Sequence, residues 1–487
     1  MKRMTFLILI FTLCLFAQDI NNERLFLDID TDITDALPGR NPAFLHRENI
    51  PFNYAFSYRL RHDGGQDRLP YTPALKLYQN LSATAYMEME NGLFFAGRFA
   101  YRHEQRKDKL FLHNAENYLD MPFYFGDSTS GDFNLNGIDW NLIFSYPLSS
   151  RWRAAADIFY NVDEQFKTVF PKPNVKRNGV HLRPALAYRG KSLQFGVTGS
   201  FFRYRELMNT RKYVLEQGRS PIFIRIRGLD RPLLTYAQTS EERLQSIDGK
   251  GVSANLDLGG ILLLESFYER SHAGIVDGGS YPEAQGNWEL DRFSWRAALR
   301  KTGPRSGVSE LFFEQHLRKG SGLHPTLDRR IYASYYRAME GGISLPYRRS
   351  PGESFTGTVS YLIEDYKRED NFYGLLQYIP AHMLKMEFIY RKSGKKADFE
   401  MNLQYAEDIC IGEAVVYTEM SGDYYADISA AELAYQLTDR RQLGAELQIS
   451  IPFNGRQLAF RGSYINVMPL NSDARFHYAE SGISYIF

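Results

Sequence analysis

Cysteine is nearly missing from this chain. Its 487 residues contain two, Cys14 and Cys410. That is too few for a disulfide framework, and no CxxC or HExxH spacing suggests a metal centre. Long apolar runs are also scarce. Beyond the first 17 residues none is longer than Ile261–Leu264, which excludes a helical membrane protein with its spans of about 20 apolar residues. Charge of one sign is lacking too. Lys+Arg 58 against Asp+Glu 57 gives a formal net charge of +1, so no bulk field points to nucleic acid.

Aromatic residues are abundant instead. Tyr 33, Phe 34 and Trp 4 make up 15% of the chain, while the mean hydropathy stays polar at −0.39. Disordered chains are poor in aromatics. An ordered, aromatic-rich protein without long apolar runs must bury or shield its rings in some alternating pattern.

The first segment reads as an export signal. Lys2 and Arg3 precede an apolar stretch, Met4–Phe16, and Ala17 is a small residue at a plausible cut. Residues 1–17 are therefore expected to be removed, 18–50 to form a short leader or hatch, and 51–487 to form one domain. Cys14 follows Leu13 rather than a small residue, which argues against lipid attachment.

From Pro51 onward the chain alternates with period two. Phe52, Tyr54, Phe56, Tyr58 and Leu60 share one face, opposite Asn53, Ser57, Arg59 and Arg61. Ile138, Trp140, Leu142, Phe144 and Tyr146 repeat the pattern, as do Leu443, Ala445, Leu447, Ile449 and Ile451. Strands put successive side chains on opposite faces, so each run has an apolar and a polar side. The runs are about 10 to 13 residues long, enough for a tilted strand to cross a bilayer. Tyr58, Tyr101, Tyr146, Tyr188 and Tyr405 sit near strand ends, where an interfacial girdle would lie.

Connections alternate between tight pairs such as Asn91-Gly92, Gly190-Lys191 and Gly259-Gly260 and long polar links such as Glu104–Gly131 and Arg205–Lys250. The expected fold is all-β: a transmembrane antiparallel up-and-down β-barrel of about 18 strands, range about 16–20. Three places leave the count open. Gly251–Arg270 reads as a hairpin or a bulged strand, Phe372–Ile379 is short, and Ile411–Met420 reads as strand or loop. Within Arg205–Lys250, the alternating Pro221–Arg227 either folds inward or extends a hairpin above the membrane, the second being the commoner arrangement.

The chain ends with Ile483, Tyr485 and Phe487 on one face. This resembles the C-terminal strand of bacterial outer-membrane β-barrels, where a terminal Phe serves as an assembly signal. The resemblance implies the bacterial outer membrane as location, and lipid and the barrel assembly machinery as partners. Asn41-Pro42-Ala43, just before the first strand, is similar to the start of the long-chain fatty-acid transporter family, whose barrels carry a small N-terminal hatch. It also reads as an Asx-Pro turn that starts the barrel.

The polar faces supply the candidate functional residues. Inward bases come early: Arg59, Arg61, Arg98, Arg102, Arg153, Arg183 and Arg189. Inward acids come later: Glu310, Glu314, Glu364, Glu387, Asp398, Glu400, Glu432 and Glu446. In a closed barrel the two sets occupy different sectors, which creates either a transverse field in a pore or a lumen of mutually paired side chains. Asp28, Asp30, Asp32 and Asp35 lack the Gly and Glu of a calcium loop, and read as a solvated leader. No Ser/His or Asp/His pattern suggests a barrel enzyme, no cofactor or metal is expected, and 18–50 is too short for a receptor plug. The leading expectation is a porin-like channel passing a small solute. The alternatives are a structural barrel anchoring a surface or secretion complex, and a transporter of hydrophobic compounds. The solute and the oligomeric state are not legible.

Overall fold

The computed structural model describes residues 41–44, 54–69, 71–114, 120–210, 222–228, 233–236, 241–303, 307–326, 329–350, 352–371, 374–394, 396–410, 434–435, 437–453, 456–470 and 474–486. The expected signal segment, most of the leader, Ile411–Met420, Glu432 and Phe487 lie outside them.

Among the described residues, twenty strands follow a 3-10 turn at Pro42–Phe44. They are β1 (Tyr54–Gly65), β2 (Leu75–Glu88), β3 (Phe94–Leu112), β4 (Phe123–Pro147), β5 (Trp152–Lys167), β6 (Asn174–Arg189) and β7 (Leu193–Asn209). Next come β8 (Ile222–Arg227), β9 (Leu233–Tyr236), β10 (Glu242–Leu258), β11 (Leu262–Asp277), β12 (Glu283–Gly303), β13 (Gly307–Leu323) and β14 (Arg330–Ser350). The last are β15 (Glu353–Asp370), β16 (Leu375–Ser393), β17 (Asp398–Cys410), β18 (Arg440–Phe453), β19 (Arg456–Pro469) and β20 (Phe476–Ile486).

Each stave pairs antiparallel with its neighbour in sequence. The exception is β7, which pairs directly with β10, Tyr204 opposite Ile247. The ring closes where β1 meets β20, Tyr58 opposite Ile483. The β8–β9 hairpin stands outside the circuit, so two of the twenty strands drop out and eighteen staves remain. Closure leaves no open strand edge in the wall, as lipid requires.

The alternation sorts the faces as the side-chain pattern requires. Phe56 is 54% exposed, Trp140 50% and Leu311 56%, all on the outside. A row of rings, Tyr347, Phe355, Tyr390 and Phe399, crosses the exterior of β14–β17 near the short-turn rim, with centroids 4.8–6.5 Å apart. Trp152 and Tyr188 continue that girdle on β5 and β6. Amphipathic rings favour such interfacial positions.

The ambiguous segments resolve simply. Gly259 and Gly260 have φ of 62° and 70°, a turn geometry natural to glycine that joins β10 to β11 as a hairpin. Phe372–Ile379 leads into a 19-residue strand, β16. The hairpin preference within Arg205–Lys250 is corrected. β8 pairs with the start of β4, Phe223 opposite Asp127, and Phe223 stacks on Phe125 at 5.4 Å. Phe223 is fully buried, so the segment folds inward, because its apolar side finds cover inside the barrel rather than above it.

Candidate functional site

The lumen is the concave space the fold creates, and its filling is uneven. On the β3–β12 side the inward side chains interlock. Phe202, Tyr204, Ile247, Trp288 and Leu290 form a dry cluster with Met121, Phe123 and, from the start of β14, Tyr332. On the β13–β19 side most inward side chains are half-buried and open onto free space.

Met121 and Phe123 belong to a strap that crosses the lumen at the long-loop rim. Its described parts are His113–Asn114, after β3, and Asp120–Pro122, before β4. Gln165 of β5 donates to the His113 carbonyl (2.8 Å), and Asn114 donates to Glu206 of β7 (2.9 Å). At the far side Tyr366 of β15 donates to Asp120, and Pro122 lies against Gly322 of β13. β15 stands nine staves from β4 in a ring of eighteen, so the strap spans the diameter. A buried charge cluster pins its root. Asp127 bonds His113 and takes Lys167 Nζ at 2.8 Å, with all three side chains 1% exposed.

A second insertion sits near the short-turn rim. Asn41 Nδ2 donates to the carbonyls of Leu186 (3.3 Å) and Val197 (3.2 Å) on β6 and β7, and its Oδ1 accepts from Ala43 N–H (2.8 Å). Phe44 is buried in a niche of Ala96, Ile143, Ala185 and Ala187 beside Tyr86 and Phe94. Gly196 forms the floor. A Cβ there would come within 2.5 Å of Asn41 Nδ2 and 2.8 Å of the Phe44 ring, so the close approach needs glycine. Gly196→Leu should expel the turn. Tryptic cleavage after Arg40, protected while Asn41 is buried, is expected to speed up by about tenfold or more, a docking loss of at least about 1.4 kcal/mol. An unchanged cleavage rate would show that the niche does not hold the turn.

Along β12–β19 lies a cavity of about 800 Å³. Its charged lining comprises Arg296 and Arg300 of β12, Glu310 and Glu314 of β13, Glu340 of β14, and Lys385 and Glu387 of β16. Ser344, Thr358, Ser360, Gln404 and Gln442 fill the spaces between them. Glu310 bonds both Arg296 and Arg300, the latter at 2.8 Å. Glu340 takes Lys385 at 3.0 Å and Ser360 at 2.6 Å. Glu314 meets His316 at 2.7 Å, and Glu387 accepts from Asn402 at 2.8 Å. Three bases thus face four carboxylates, and every base is engaged by Glu310 or Glu340. The lining's net charge is therefore −1: Glu310 holds two bases and Glu340 one, and Glu314 and Glu387 share the single negative charge left over.

The parity of the strands puts the early bases, Arg59 and Arg61 (β1), Arg98 and Arg102 (β3), Arg153 (β5), and Arg183 and Arg189 (β6), on the lumen face. The late acids Glu310, Glu314, Glu364, Glu387, Asp398, Glu400 and Glu446 share that face on β13–β18. Three of them, Glu310, Glu314 and Glu387, meet in the cavity. Glu364 takes the Tyr336 hydroxyl, Glu400 pairs with Arg391 at 2.9 Å and Glu446 with Arg461 at 2.7 Å.

The early bases stay dispersed and acquire acids interleaved among them. Arg102 sits between Asp163 (2.6 Å) and Asp139 (2.8 Å), Arg61 meets Asp63 at 2.7 Å, and Arg183 meets Asp157. Arg189 lies over the Phe44 ring, and Arg153 reaches the Ser145 carbonyl. Sequence reasoning missed Glu340 and Lys385. Carrying the parity of Tyr336 and Ser344 through Glu340 would have found the first. Lys385 follows from its alternation with the outward Met386 and Phe388.

No curated protein sequence is significantly similar to this chain. Solved barrels overlap it at very low identity. The ferric preacinetobactin receptor BauA of Acinetobacter baumannii is 10% identical, with 90% of this chain and 80% of that one covered and a TM-score of 0.36. The ferripyoverdine receptor of the Pseudomonas aeruginosa outer membrane is 8% identical, covering 89% and 72%, with a TM-score of 0.43. The outer membrane transporter YddB of Escherichia coli is 7% identical, covering 89% and 81%, with a TM-score of 0.39. The likeness is one of barrel architecture and extends to nothing those proteins bind. The comparisons lend no support to a kinship of Asn41–Ala43 with the fatty-acid transporters, nor to the C-terminal signature. The family-model match spans residues 42–487, and the chain belongs to the family of unknown function DUF6850.

Proposed function

We propose that this barrel sits in a bacterial outer membrane and passes a small polar solute, with cations preferred, along the β12–β19 side of its lumen. The long-loop rim faces outward and the short-turn rim faces the periplasm. The observation that carries the reading is the cavity of about 800 Å³ on the less filled side of the lumen, lined by three bases and four carboxylates, with Glu314 and Glu387 bonded to none of those bases. Carboxylates fixed in a confined, low-dielectric space raise the local concentration of cations and repel anions. Lipid surrounds the apolar exterior, and β20 is the strand presented to the barrel assembly machinery.

Reconstitution in planar bilayers tests this. The wild type should conduct sodium in preference to chloride. Glu314→Gln combined with Glu387→Gln should lower the permeability ratio by roughly threefold or more. Absence of any ohmic current would sink the reading. It would favour the second, a structural barrel anchoring a surface complex, which the strap across the lumen already supports.

A further inference from the structure

The exterior of β7–β13 carries a feature that the lumen does not explain. Just beyond the apolar belt, on the long-loop side, the outward positions turn basic. Arg203 and Arg205 of β7, Lys250 of β10, Arg270 of β11 and Lys319 of β13 are all exposed. Their strand registers place Arg203, Lys250, Arg270 and Lys319 in one patch, with Arg205 at its long-loop edge, opposite Ser246 of β10. Arg203 stands opposite Asp248, Phe201 opposite Lys250, Lys250 opposite Arg270, Arg270 opposite Asp291, and Asp291 opposite Lys319.

The acids in the patch are Asp248, Glu289 and Asp291. Asp248 bonds Arg203, while Glu289 and Asp291 draw Arg270 toward β12, at 2.8 and 4.0 Å. Five bases thus face three acids. Three other bases on the outer face are each paired with one acid: Arg337 with Asp365, Lys367 with Glu369, Arg441 with Glu407. Lys250 lies directly across from Arg270, a like-charge cross-strand pair that is unfavourable unless an anion sits between. On the membrane side of this patch are Phe201, Val252 and Tyr268, exposed at 54%, 47% and 42%. A ligand that fits must present anionic groups above and acyl chains below.

We infer that this patch binds a phosphorylated glycolipid of the outer leaflet. Its phosphates lie among Arg205, Lys250 and Arg270, and its chains run down over Phe201, Val252 and Tyr268. Phosphate accepts several charge-assisted hydrogen bonds at once, and planar guanidinium groups match its geometry. The choice of leaflet rests on the orientation proposed above. The binding itself does not depend on solute passage.

Native mass spectrometry of the full chain in a neutral detergent tests the inference, with three probes: diphosphoryl lipid A, the same lipid stripped of phosphate, and phosphatidylglycerol. The diphosphoryl lipid should be retained most strongly. Arg205→Gln, Lys250→Gln and Arg270→Gln together should reduce its bound fraction by about tenfold or more, since each surface base contributes to attraction of an anionic headgroup. The paired-shoulder control, Arg337→Gln with Lys367→Gln, should leave it unchanged. Arg205→Lys with Arg270→Lys should restore most of the loss relative to the glutamine variants, and heat-modified gel mobility should report a folded barrel throughout. Equal retention of the dephosphorylated lipid, or undiminished binding by the triple variant, would overturn the site. Equal retention of phosphatidylglycerol would overturn the glycolipid assignment. Because the readout is lipid retention, its failure is separable from a failure of conductance.

Discussion

Asp127→Ala should lower the unfolding free energy by about 3–5 kcal/mol, the largest single-residue effect expected in this barrel. The reason is what stays behind. Lys167 would remain fully buried at the root of the strap, its Nζ deprived of the carboxylate at 2.8 Å. His113 would lose the same partner. An ammonium in a dry interior without a counterion is far costlier than the pair was favourable. The companion experiment separates charge from packing. Asp127→Leu with Lys167→Met removes both charges and should cost much less than Asp127→Ala alone. Urea unfolding in lipid vesicles reads both, and equal losses would show that the cluster acts through shape rather than charge.

Leu447→Arg is the second large effect, about 2–4 kcal/mol, as for a basic side chain near the middle of a lipid-facing wall. Leu447 stands midway along β18 on its outward face, between Met401 of β17 and Gly462 of β19. Its neighbour Gln448 faces the lumen between Glu400 and Arg461. Gln448→Arg should therefore be tolerated to within about 0.5 kcal/mol. Membrane insertion yield and urea stability give the comparison. Equal damage at both positions would contradict the two-faced wall on which the cavity, the lipid patch and the girdle all depend.

The charge arrangement bears on how the lumen works. Bases early and acids late in the chain would set up a strong field across an open pore if each set stood alone. In the folded wall each early base whose partner is a carboxylate takes it from nearby: Arg61 with Asp63, Arg102 with Asp139 and Asp163, Arg183 with Asp157. Most of the field is thereby quenched on that side. What survives is local, at Glu314 and Glu387, where the neighbouring bases are already engaged by Glu310 and Glu340. On the proposed reading, selectivity rests on Glu314 and Glu387 in one cavity rather than on opposed sectors.

The candidate site was partly legible beforehand. Period-two alternation assigned Glu310, Glu314 and Glu387 to the polar face, because the side a residue takes on a strand is a property of its neighbours two positions away. That three of those acids meet in one space, while Glu364, Glu400 and Glu446 are each engaged elsewhere on the wall, depends on inter-strand register. Hydrophobic pattern and turn geometry fix register within a hairpin, but which side chains of five successive staves share one space depends on registers accumulated across long links whose turns the sequence leaves open. The inward course of β8 was misjudged for a related reason. Alternation in Pro221–Arg227 says that one side is apolar, and is silent on whether the cover is found above the wall or within it.

From the amino-acid order alone came the two-faced strands, their length, the tight Gly259-Gly260 hairpin and a ring of about eighteen staves. These are decided within a few residues, by pleat geometry and by the need to pair every backbone group in lipid. The three-dimensional fold alone decided that His113, Asp127 and Lys167 share one buried cluster, that Asp120 reaches Tyr366 across the diameter, and that Phe44 seats on Gly196. The first depends on how the residues between β3 and β4 turn into the lumen beside β5; the other two join residues far apart in the chain, and exist once the ring has closed around them.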